Sequence, residues 1–470
     1  MKDLTASHSG AFQGYVSGAD KYLVFDEAED LGQVLKLRPR HEKESCGCGE
    51  KPIEIEKGAL RPFLFGKDVG RWVINWKRTW VLFPYDRYAR KQTLHGEIIE
   101  DWNLIPSEEN LDKFEFMDPQ KVKTIEDRFP KAWNYLGKHE SKLRAREDHR
   151  YDENKPDGHL WYGATYPRGL DYYFRPKLVL QLLSRRNSFA FDDAGRFVFQ
   201  AGGKGGGVYG IAPGRQVSNL RALQAFLNSR VADFIVKETS SVYGGRFYSY
   251  ADQFLKGLPI CEALLDPRAK DTRQLGSLAA RVSLASEDWL RLRSKLVSFP
   301  DSFAGDLARY ELDTVEHLST GHPSSAQLAL EPDAISVEAG LYGFSVRYDS
   351  QRPFDFEHRE HAEVLAAALR NRHRKTLPLA EVLNWRLPVK PEGCKKLLTL
   401  LSQSRQHLRK LEDQIASEED ALNDSVYALY GIQSREQKVI EDFLGRYSSH
   451  AAAPVSEEEE TERNESPEDE

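Results

Sequence analysis

The chain has 470 residues, 40% of them hydrophobic and 11% aromatic, so it is long enough for roughly two to four domains with apolar cores. It contains no run of about 18 apolar residues, and its first residues lack an apolar core, so we expect neither a membrane span nor secretion. The four cysteines, at positions 46, 48, 261 and 394, are too few for a disulfide scaffold. These features together favour a cytoplasmic protein.

The negative charge is concentrated at the end of the chain. The net charge is −7, but residues 457–470 hold nine acids and one arginine and carry −8, which leaves residues 1–456 at +1. A near-neutral body can still carry local basic patches, so the overall charge does not exclude a nucleic-acid partner. The acidic stretch has no apolar residue to bury and is predicted to be disordered.

The first 260 residues combine strand and helix patterns. Alternating or continuous apolar runs predict strands at residues 11–18, 22–25, 53–56, 80–85, 174–184 and 188–200. Residues 119–148 are predicted to be helical, with apolar residues on one stripe and cations on the other. Residues 216–237 predict one amphipathic helix, whose apolar face holds Leu220, Leu223, Phe226, Leu227, Val231, Phe234 and Ile235.

The rest of the sequence is mostly helical. Apolar residues recur at three- and four-residue steps from 393 to 447, which predicts a helical hairpin or short coiled coil. We therefore predict an α+β fold, with a mixed-sheet domain followed by a mostly helical C-terminal region. The predicted segments are 1–262 (mixed-sheet domain), 263–333 (helical segment and loop), 334–392 (small mixed segment), 393–447 (helical hairpin) and 448–470 (disordered acidic tail).

Three short patterns resemble metal or cofactor sites but do not complete one. Cys46-Gly47-Cys48 has no second cysteine pair, whereas a zinc site needs four ligands. The pattern His358-x-x-His361 lacks the i, i+4 histidines of a metalloprotease and predicts a surface helix. Lys204, within the glycines at 202–207, is not followed by the Ser or Thr of a P-loop. We therefore predict no metal and no cofactor in this chain.

Six blocks of residues follow one another in a recognisable order. They are Gly14–Val24, Leu60–Val69, Val81–Asp86, Pro130–Arg146, Pro176–Val179 and Leu227-Asn228-Ser229, and a seventh block lies at 423–432. In this order they resemble the target-recognition region, or C-terminal specificity region, of TaqI-like adenine-N6 DNA methyltransferases and related type IIG restriction-modification or phage-defence enzymes. The resemblance implies a mixed-sheet domain that binds double-stranded DNA.

The catalytic part of such an enzyme has no counterpart in this sequence. Members of the family carry a domain that binds S-adenosylmethionine and an Asn-Pro-Pro-Tyr/Phe loop that holds the flipped adenine, whereas this chain contains no Pro-Pro dipeptide. The resemblance therefore implies a non-catalytic specificity subunit, or a split-off C-terminal half. S-adenosylmethionine and methyl transfer would then belong to a separate methyltransferase subunit.

Four clusters supply candidate DNA contacts, because cations and amides contact phosphates and base edges. The candidates are Lys67, Arg71, Lys77, Arg78, Arg87, Arg90 and Lys91 in the first cluster, Arg146 in the second, Arg185, Arg186 and Lys204 in the third, and Tyr243, Arg246 and Tyr248 in the fourth. The alternative for the first cluster is a solvated basic surface over aromatic core residues. For the second cluster it is a solvated charged helix face, and for the third it is a mobile hairpin loop.

Two other functions remain open at this point. The chain could be part of a whole site-specific methyltransferase or restriction enzyme, with an activity in residues 265–390. It could also be a protein-interaction scaffold that does not bind DNA. A neighbouring gene for an Asn-Pro-Pro-Tyr methyltransferase would favour the specificity subunit, and absent DNA binding would favour the scaffold.

Overall fold

The computed structural model describes residues 2–3, 8–40, 52–90, 99–113, 116, 119–146, 160–165, 169–202, 207–213, 219–243, 247–340, 343–348, 352–372 and 376–447. The predicted acidic tail at 448–470 lies outside these residues. Contacts divide the chain into two compact units, Met1–Ser283 with Glu418–Glu470 and Leu284–Ser417. The second unit is therefore inserted into the sequence of the first.

The strands of the first unit are short and numerous. In chain order they are β1 (Lys2–Asp3), β2 (His8–Gln13), β3 (Val24–Asp30), β4 (Val34–Pro39), β5 (Ile53–Glu56), β6 (Leu60–Leu64), β7 (Thr79–Leu82), β8 (Tyr85–Arg90), β9 (Ile99–Leu104), β10 (Lys177–Gln181), β11 (Leu183–Ser184), β12 (Phe189–Asp192), β13 (Val198–Phe199), β14 (Val208–Pro213), β15 (Val242–Tyr243), β16 (Phe247–Ser249) and β17 (Pro259–Ile260). The strands of the second unit are β18 (Leu312–Thr314), β19 (Gln327–Ala329), β20 (Ser336–Gly340), β21 (Gly343–Arg347), β22 (Phe354–Phe356), β23 (Thr376–Pro378) and β24 (Arg386–Pro388).

The helices are short in the first 260 residues and long afterwards. They are α1 (Asp20–Leu23), α2 (Ile125–Arg128), α3 (Pro130–Lys138), α4 (Glu140–Arg144), α5 (Leu220–Leu227), α6 (Arg230–Thr239), α7 (Asp252–Leu255), α8 (Lys270–Val297), α9 (Val315–Leu318), α10 (Arg359–Arg370), α11 (Leu379–Leu383), α12 (Pro391–Tyr430) and α13 (Ser434–Tyr447). Among the helices of the described residues, none combines the length and the apolar content needed to cross a membrane.

Two sheets organise the first unit. A six-stranded sheet has the order β13-β6-β7-β3-β4-β5 and is antiparallel except where β13 runs parallel to β6, with Val198 paired to Phe63. A four-stranded antiparallel sheet has the order β12-β10-β14-β2. Its strand β10 is buried at every position, as expected for a central strand with the apolar run Leu178–Leu180.

Smaller pairings extend the first unit. Strands β8 and β9 form a two-stranded ribbon, and β11, β16 and β15 form a three-stranded sheet in that order. The core beneath the sheets is rich in aromatic residues, such as Phe83, Tyr85 and Tyr173, which pack edge to face or tilted on one another. The core thus anchors the base of the β8–β9 ribbon through Tyr85.

The second unit has its own core. Strands β20, β21 and β22 form an antiparallel sheet, and helix α10 packs against them. Two further pairs, β18 with β24 and β19 with β23, complete the strands of this unit. The buried face of α10 holds Val364, Leu365 and Leu369, and Trp385 is buried in the same core.

The predicted α+β class is confirmed, and so is the helical C-terminal hairpin, which α12 and α13 form. Two local predictions were wrong. Residues 22–25 do not form one strand, since α1 extends to Leu23 and β3 begins at Val24. The single helix predicted at 216–237 is two helices within the described residues, α5 and α6, because Ser229 accepts a hydrogen bond from the Ala232 amide and caps α6.

Candidate nucleic-acid interface

The junction between α5 and α6 is fixed by the side chain of Asn228. Its Nδ2 donates to the Phe189 carbonyl at 2.9 Å, and its Oδ1 accepts from the Phe189 amide at 3.0 Å. The side chain therefore pairs with β12 as a neighbouring strand would. The Leu227-Asn228-Ser229 block, which carried part of the family resemblance, is buried and joins α5 and α6 to the sheet.

Asn187 holds the same junction from the other side. Its Nδ2 donates to the carbonyls of Leu227 at 2.7 Å and Ser229 at 2.9 Å. Its backbone amide donates to Asp233 Oδ1 at 3.1 Å. The residues before and after Asn228 are thus tied to the segment that leads into β12.

Arg71 lies at the centre of this network, and each of its three guanidinium nitrogens donates a hydrogen bond. Nη1 donates to the Asn187 carbonyl at 3.0 Å and to Asn187 Oδ1 at 2.6 Å, and Nη2 donates to the Asn228 carbonyl at 2.6 Å. Nε donates to Glu419 Oε1 at 2.6 Å, which links the network to α12. Arg71 is buried, so we leave it out of the interface proposed below.

Glu419 is charged in this interior position because several groups compensate for its burial. Burial alone would raise the pKa of the carboxyl, but Arg71, Arg186 and the donated hydrogen bond from Trp72 Nε1 together lower it. Trp72 adopts a φ of 70°, a left-handed conformation that costs a non-glycine residue about 1–3 kcal/mol. We name Arg71, Asn187, Asn228 and Glu419 the arginine network.

Arg146 has a similar structural environment. Its Nε donates to the Leu143 carbonyl at 2.8 Å, Nη2 to Trp161 at 2.6 Å, and Nη1 to the carbonyls of Ser17 and Gly163. Burial lowers the pKa of this guanidinium to about 10. Arg146 connects the end of α4 to two other segments, so it too is left out of the proposed interface.

Four of the predicted cations are exposed, namely Lys67, Lys77, Arg78 and Arg87. We name these four the outer cations. The Arg78 side chain is 73% exposed and pairs with Glu27 at 2.9 Å. Arg87 lies on β8 opposite Trp102 in the β8–β9 ribbon. Side chains in such positions are available to phosphate groups.

A buried carboxyl group lies next to two of the outer cations. Asp68 Oδ2 accepts from the Phe65 amide at 2.8 Å, while Oδ1 has no hydrogen-bond partner among the described residues. Burial raises the pKa of Asp68 to about 6, although Lys67 and Lys77 act in the opposite direction. Lys67 and Lys77 therefore lie within electrostatic range of one carboxyl group.

The third and fourth clusters meet in the sheet of β11, β16 and β15. Arg185 follows β11, and its guanidinium lies over the Phe247 ring at 5.4 Å. Phe247 pairs with Tyr243 in the next strand, and Tyr243 is 51% exposed. Tyr248 is buried, so of the two tyrosines only Tyr243 presents its ring to solvent.

Some predicted contacts lie outside the described residues. These are Lys91, Lys204 and Arg246, together with the side chain of Arg90, whose backbone pairs with Ile99 in the β8–β9 ribbon. They stay predictions from the sequence.

A pocket of about 550 Å³ lies where residues 17–21 approach residues 200–202. Gln200 Nε2 donates to Asp20 Oδ2 at 3.0 Å, and the Ser17 hydroxyl donates to the other oxygen of the same carboxylate. Gln13 Nε2 donates to the Ala201 carbonyl at 3.1 Å. The sequence did not single out Asp20, Gln13 or Gln200, because lone polar residues in strands and turns carry no periodic signal.

The histidines at 358 and 361 do not lie on a surface helix as predicted. His361 is buried, and its Nε2 lies 2.9 Å from the Pro388 carbonyl, to which it donates. Burial lowers the pKa of this imidazole, which favours the neutral ring. In the part of the chain that the structure describes, no three His, Cys, Asp or Glu side chains are arranged to hold a metal ion.

Comparisons with known proteins bear on this arrangement. Residues 61–260 match the model of a family described as the TaqI-like C-terminal specificity domain. Among solved structures, the chain is similar to a Type-I restriction-modification system S subunit from M. genitalium, with 11% identity, 55% of this chain and 83% of that chain covered, and a TM-score of 0.23. That TM-score is too low to support a conclusion about fold or function. No curated protein matches the chain.

Proposed function

We propose that this chain, whose residues 61–260 are a TaqI-like C-terminal specificity domain, recognises a DNA sequence in a restriction-modification or related phage-defence system. The family match is the observation that carries the proposal. It spans the β6–β7 region, the β8–β9 ribbon, α5 and α6. The arginine network explains why these segments form one body: it joins loops that are more than 100 residues apart in sequence.

The proposed DNA surface combines the outer cations with the sheet of β11, β16 and β15. In this proposal Lys67, Lys77, Arg78 and Arg87 contact phosphates, which set position and add salt-dependent affinity. Arg185, Arg186 and Tyr243 are the candidates for base contacts, because arginine reads guanine edges and an exposed aromatic ring can stack on a base. Arg90, Lys91, Lys204 and Arg246 extend this surface as predictions from sequence.

Methyl transfer in this proposal belongs to a partner. A separate adenine-N6 methyltransferase subunit would bind S-adenosylmethionine and flip the target base, while this chain selects the site on the duplex.

The test is a selection of binding sites from a random duplex library by the full chain, with and without the candidate methyltransferase. We expect one enriched sequence, and methylation only when the partner and S-adenosylmethionine are both present. Replacing Lys67 and Lys77 by Gln should flatten the dependence of log affinity on log salt by about one unit for each contact.

The matched control is Lys131→Gln, which removes one exposed cation that already pairs with Glu54 at 2.6 Å. It should leave the salt dependence unchanged. Binding of the chain that enriches no sequence, with or without the partner, would contradict the proposal, as would methylation by the isolated chain.

A further inference from the structure

The second unit contains a pocket of about 420 Å³ between β20, α10 and α12. Arg370, in the last turn of α10, and Arg405, on α12, both line it. Leu401, one turn before Arg405, and Leu398, two turns before it, form the apolar wall of the pocket. The lining of the pocket therefore combines two guanidinium groups with an apolar wall.

The two arginines are held by neutral partners. Arg370 Nη2 donates to the Ile335 carbonyl at 2.5 Å, and Arg405 Nη2 donates to Asn371 Oδ1 at 2.6 Å. These hydrogen bonds fix the direction of each guanidinium group, and neither acceptor carries a charge. A fixed, planar donor set is what distinguishes arginine from lysine as a ligand for oxyanions.

Among the described residues, one carboxylate lines the pocket, and it is already paired. Glu363 Oε1 accepts from Arg359 Nε at 2.8 Å, one turn earlier in α10. Its charge is therefore largely offset by a cation outside the pocket. The lining keeps a net positive charge.

A third arginine adds to this charge. Arg409 follows Arg405 by four residues on α12, so the two lie on the same face of the helix. Burial first, and then the nearby Arg370 and Arg409, lower the pKa of Arg405. Like charges that are held close together are stabilised when an anion binds between them.

We infer that this pocket of the second unit binds a phosphate group, with Arg370 and Arg405 as its ligands and Arg409 as an additional cation. The phosphate could be that of a nucleic-acid backbone or a free phosphate, and both offer the same oxygens. The inference does not depend on DNA recognition by residues 61–260, because all the residues involved belong to the second unit.

The first experiment measures binding of inorganic phosphate to the full chain by calorimetry at low ionic strength. Arg405→Gln and Arg370→Gln should each weaken phosphate binding by about tenfold or more, since each removes a charge-assisted hydrogen bond. The control is Arg291→Gln, which removes an arginine of the same unit that pairs with Asp288 at 2.8 Å. If Arg405→Gln and Arg370→Gln bind phosphate as tightly as the control, the inference is overturned.

A second variant protects the test against misfolding. Glu363→Gln removes the carboxylate that lines the pocket among the described residues, so phosphate binding should tighten by a few-fold while Arg359 loses its surface partner. A misfolded variant could lose binding but could not gain it. Unchanged or weaker phosphate binding by Glu363→Gln would also overturn the inference.

A third measurement distinguishes the two sources of phosphate. If the ligand is a nucleic-acid backbone, Arg405→Gln should lower the salt slope of duplex binding by about one unit. If the ligand is a free phosphate, the variant should lose inorganic phosphate and keep the slope. If the proposed DNA recognition fails, the selection from the random duplex library will enrich no sequence. The salt slope of duplex binding is measured separately, so the two failures can be distinguished.

Discussion

Arg71 of the arginine network and the four outer cations come from the same cluster in the sequence but have opposite environments. Arg71 is buried and donates from all three nitrogens to fixed protein acceptors. Arg78, seven residues later, is 73% exposed and pairs with one carboxylate, that of Glu27. The difference shows that one dense run of cations between aromatic residues can contain both a buried structural residue and exposed residues that a ligand can reach.

The chemistry of arginine explains why the interior position needs this residue. The guanidinium group offers donors in a fixed fork, and here they reach acceptors on three separate segments. A lysine ammonium group could not reach them all from one place. At the exposed positions charge alone matters, so Lys67 and Lys77 serve as well as arginine would.

The largest expected effect is on the free energy of unfolding, which should depend strongly on the buried Arg71 and hardly on an exposed cation. Arg71→Ala should lower the free energy of unfolding by about 3–5 kcal/mol, because it removes a donor from the buried Asn187 and Asn228 and leaves the partly buried Glu419 without its main partner. Lys77→Ala, at an exposed position, should change it by less than about 0.5 kcal/mol. Urea unfolding of both variants measures this, and equal losses would erase the distinction.

A double-mutant cycle sharpens that result. Arg71→Ala combined with Glu419→Ala should cost clearly less than the sum of the two single changes, because the second change removes the uncompensated charge. Additive losses would show that the two residues act independently.

The next effect concerns Asp68, a buried carboxyl group that is close to the exposed Lys67 and Lys77. Its folded-state pKa is about 6 against an ordinary 3.8, so its contribution to stability is complete below pH 3.8 and is lost as the pH rises through 6. Asp68→Asn cannot ionise and keeps an oxygen for the Phe65 amide. The stability of this variant relative to the wild type should therefore rise by about 2–3 kcal/mol between acidic and mildly alkaline pH.

Thermal or urea unfolding across that pH range measures the effect. Parallel pH profiles for Asp68→Asn and the wild type would mean that the carboxyl has no raised pKa. In a chain that keeps Asp68, replacing Lys67 and Lys77 should raise the pKa of Asp68 further, because both cations oppose the effect of burial.

A smaller effect is expected at the exposed tyrosine. Tyr243→Ala should leave the unfolding free energy within about 0.5 kcal/mol of the wild type, since half of the side chain is already in solvent. If the ring stacks on a base, duplex affinity should fall by about 1 kcal/mol or more. Tyr243→Phe is the matched control and should bind normally.

The smallest effect on stability belongs to the outer cations. Single changes of Lys67, Lys77 or Arg87 to Gln should hardly alter unfolding, yet each should lower the salt slope of duplex binding by up to about one unit. Unchanged slopes in all three would leave them as ordinary solvated charges.

Local patterns in the sequence predicted much of the fold. The three- and four-residue steps of apolar residues gave the hairpin of α12 and α13, and the apolar run at 178–180 gave the central strand β10. The break between α5 and α6 was missed because the apolar face continues across the Ser229 cap, and the junction is held by Asn228, whose partner Phe189 lies 39 residues away. Helix propensity and apolar periodicity are local properties of the sequence, so they do not predict a hydrogen bond between residues that are far apart in it.

The candidate site was predictable only in part. Residue type and spacing identified the cations, but they could not separate Arg71 from Lys67, since burial is set by contacts with Asn187, Asn228 and Glu419. Glu419 lies 348 residues from Arg71 in sequence. The motif blocks that supported the family resemblance proved to be mostly interior residues, which explains how they identify a fold without identifying its DNA contacts.

The insertion of the second unit into the first has a consequence for how the chain is made. Arg71 and Asn187 leave the ribosome long before Glu419, so the nascent first unit must wait for the whole of Leu284–Ser417 to be synthesised. If that segment folds first, it shortens the effective loop that must close, since a compact insert brings its two ends within reach of each other. The order of translation would then make the inserted unit the precondition for completing the first.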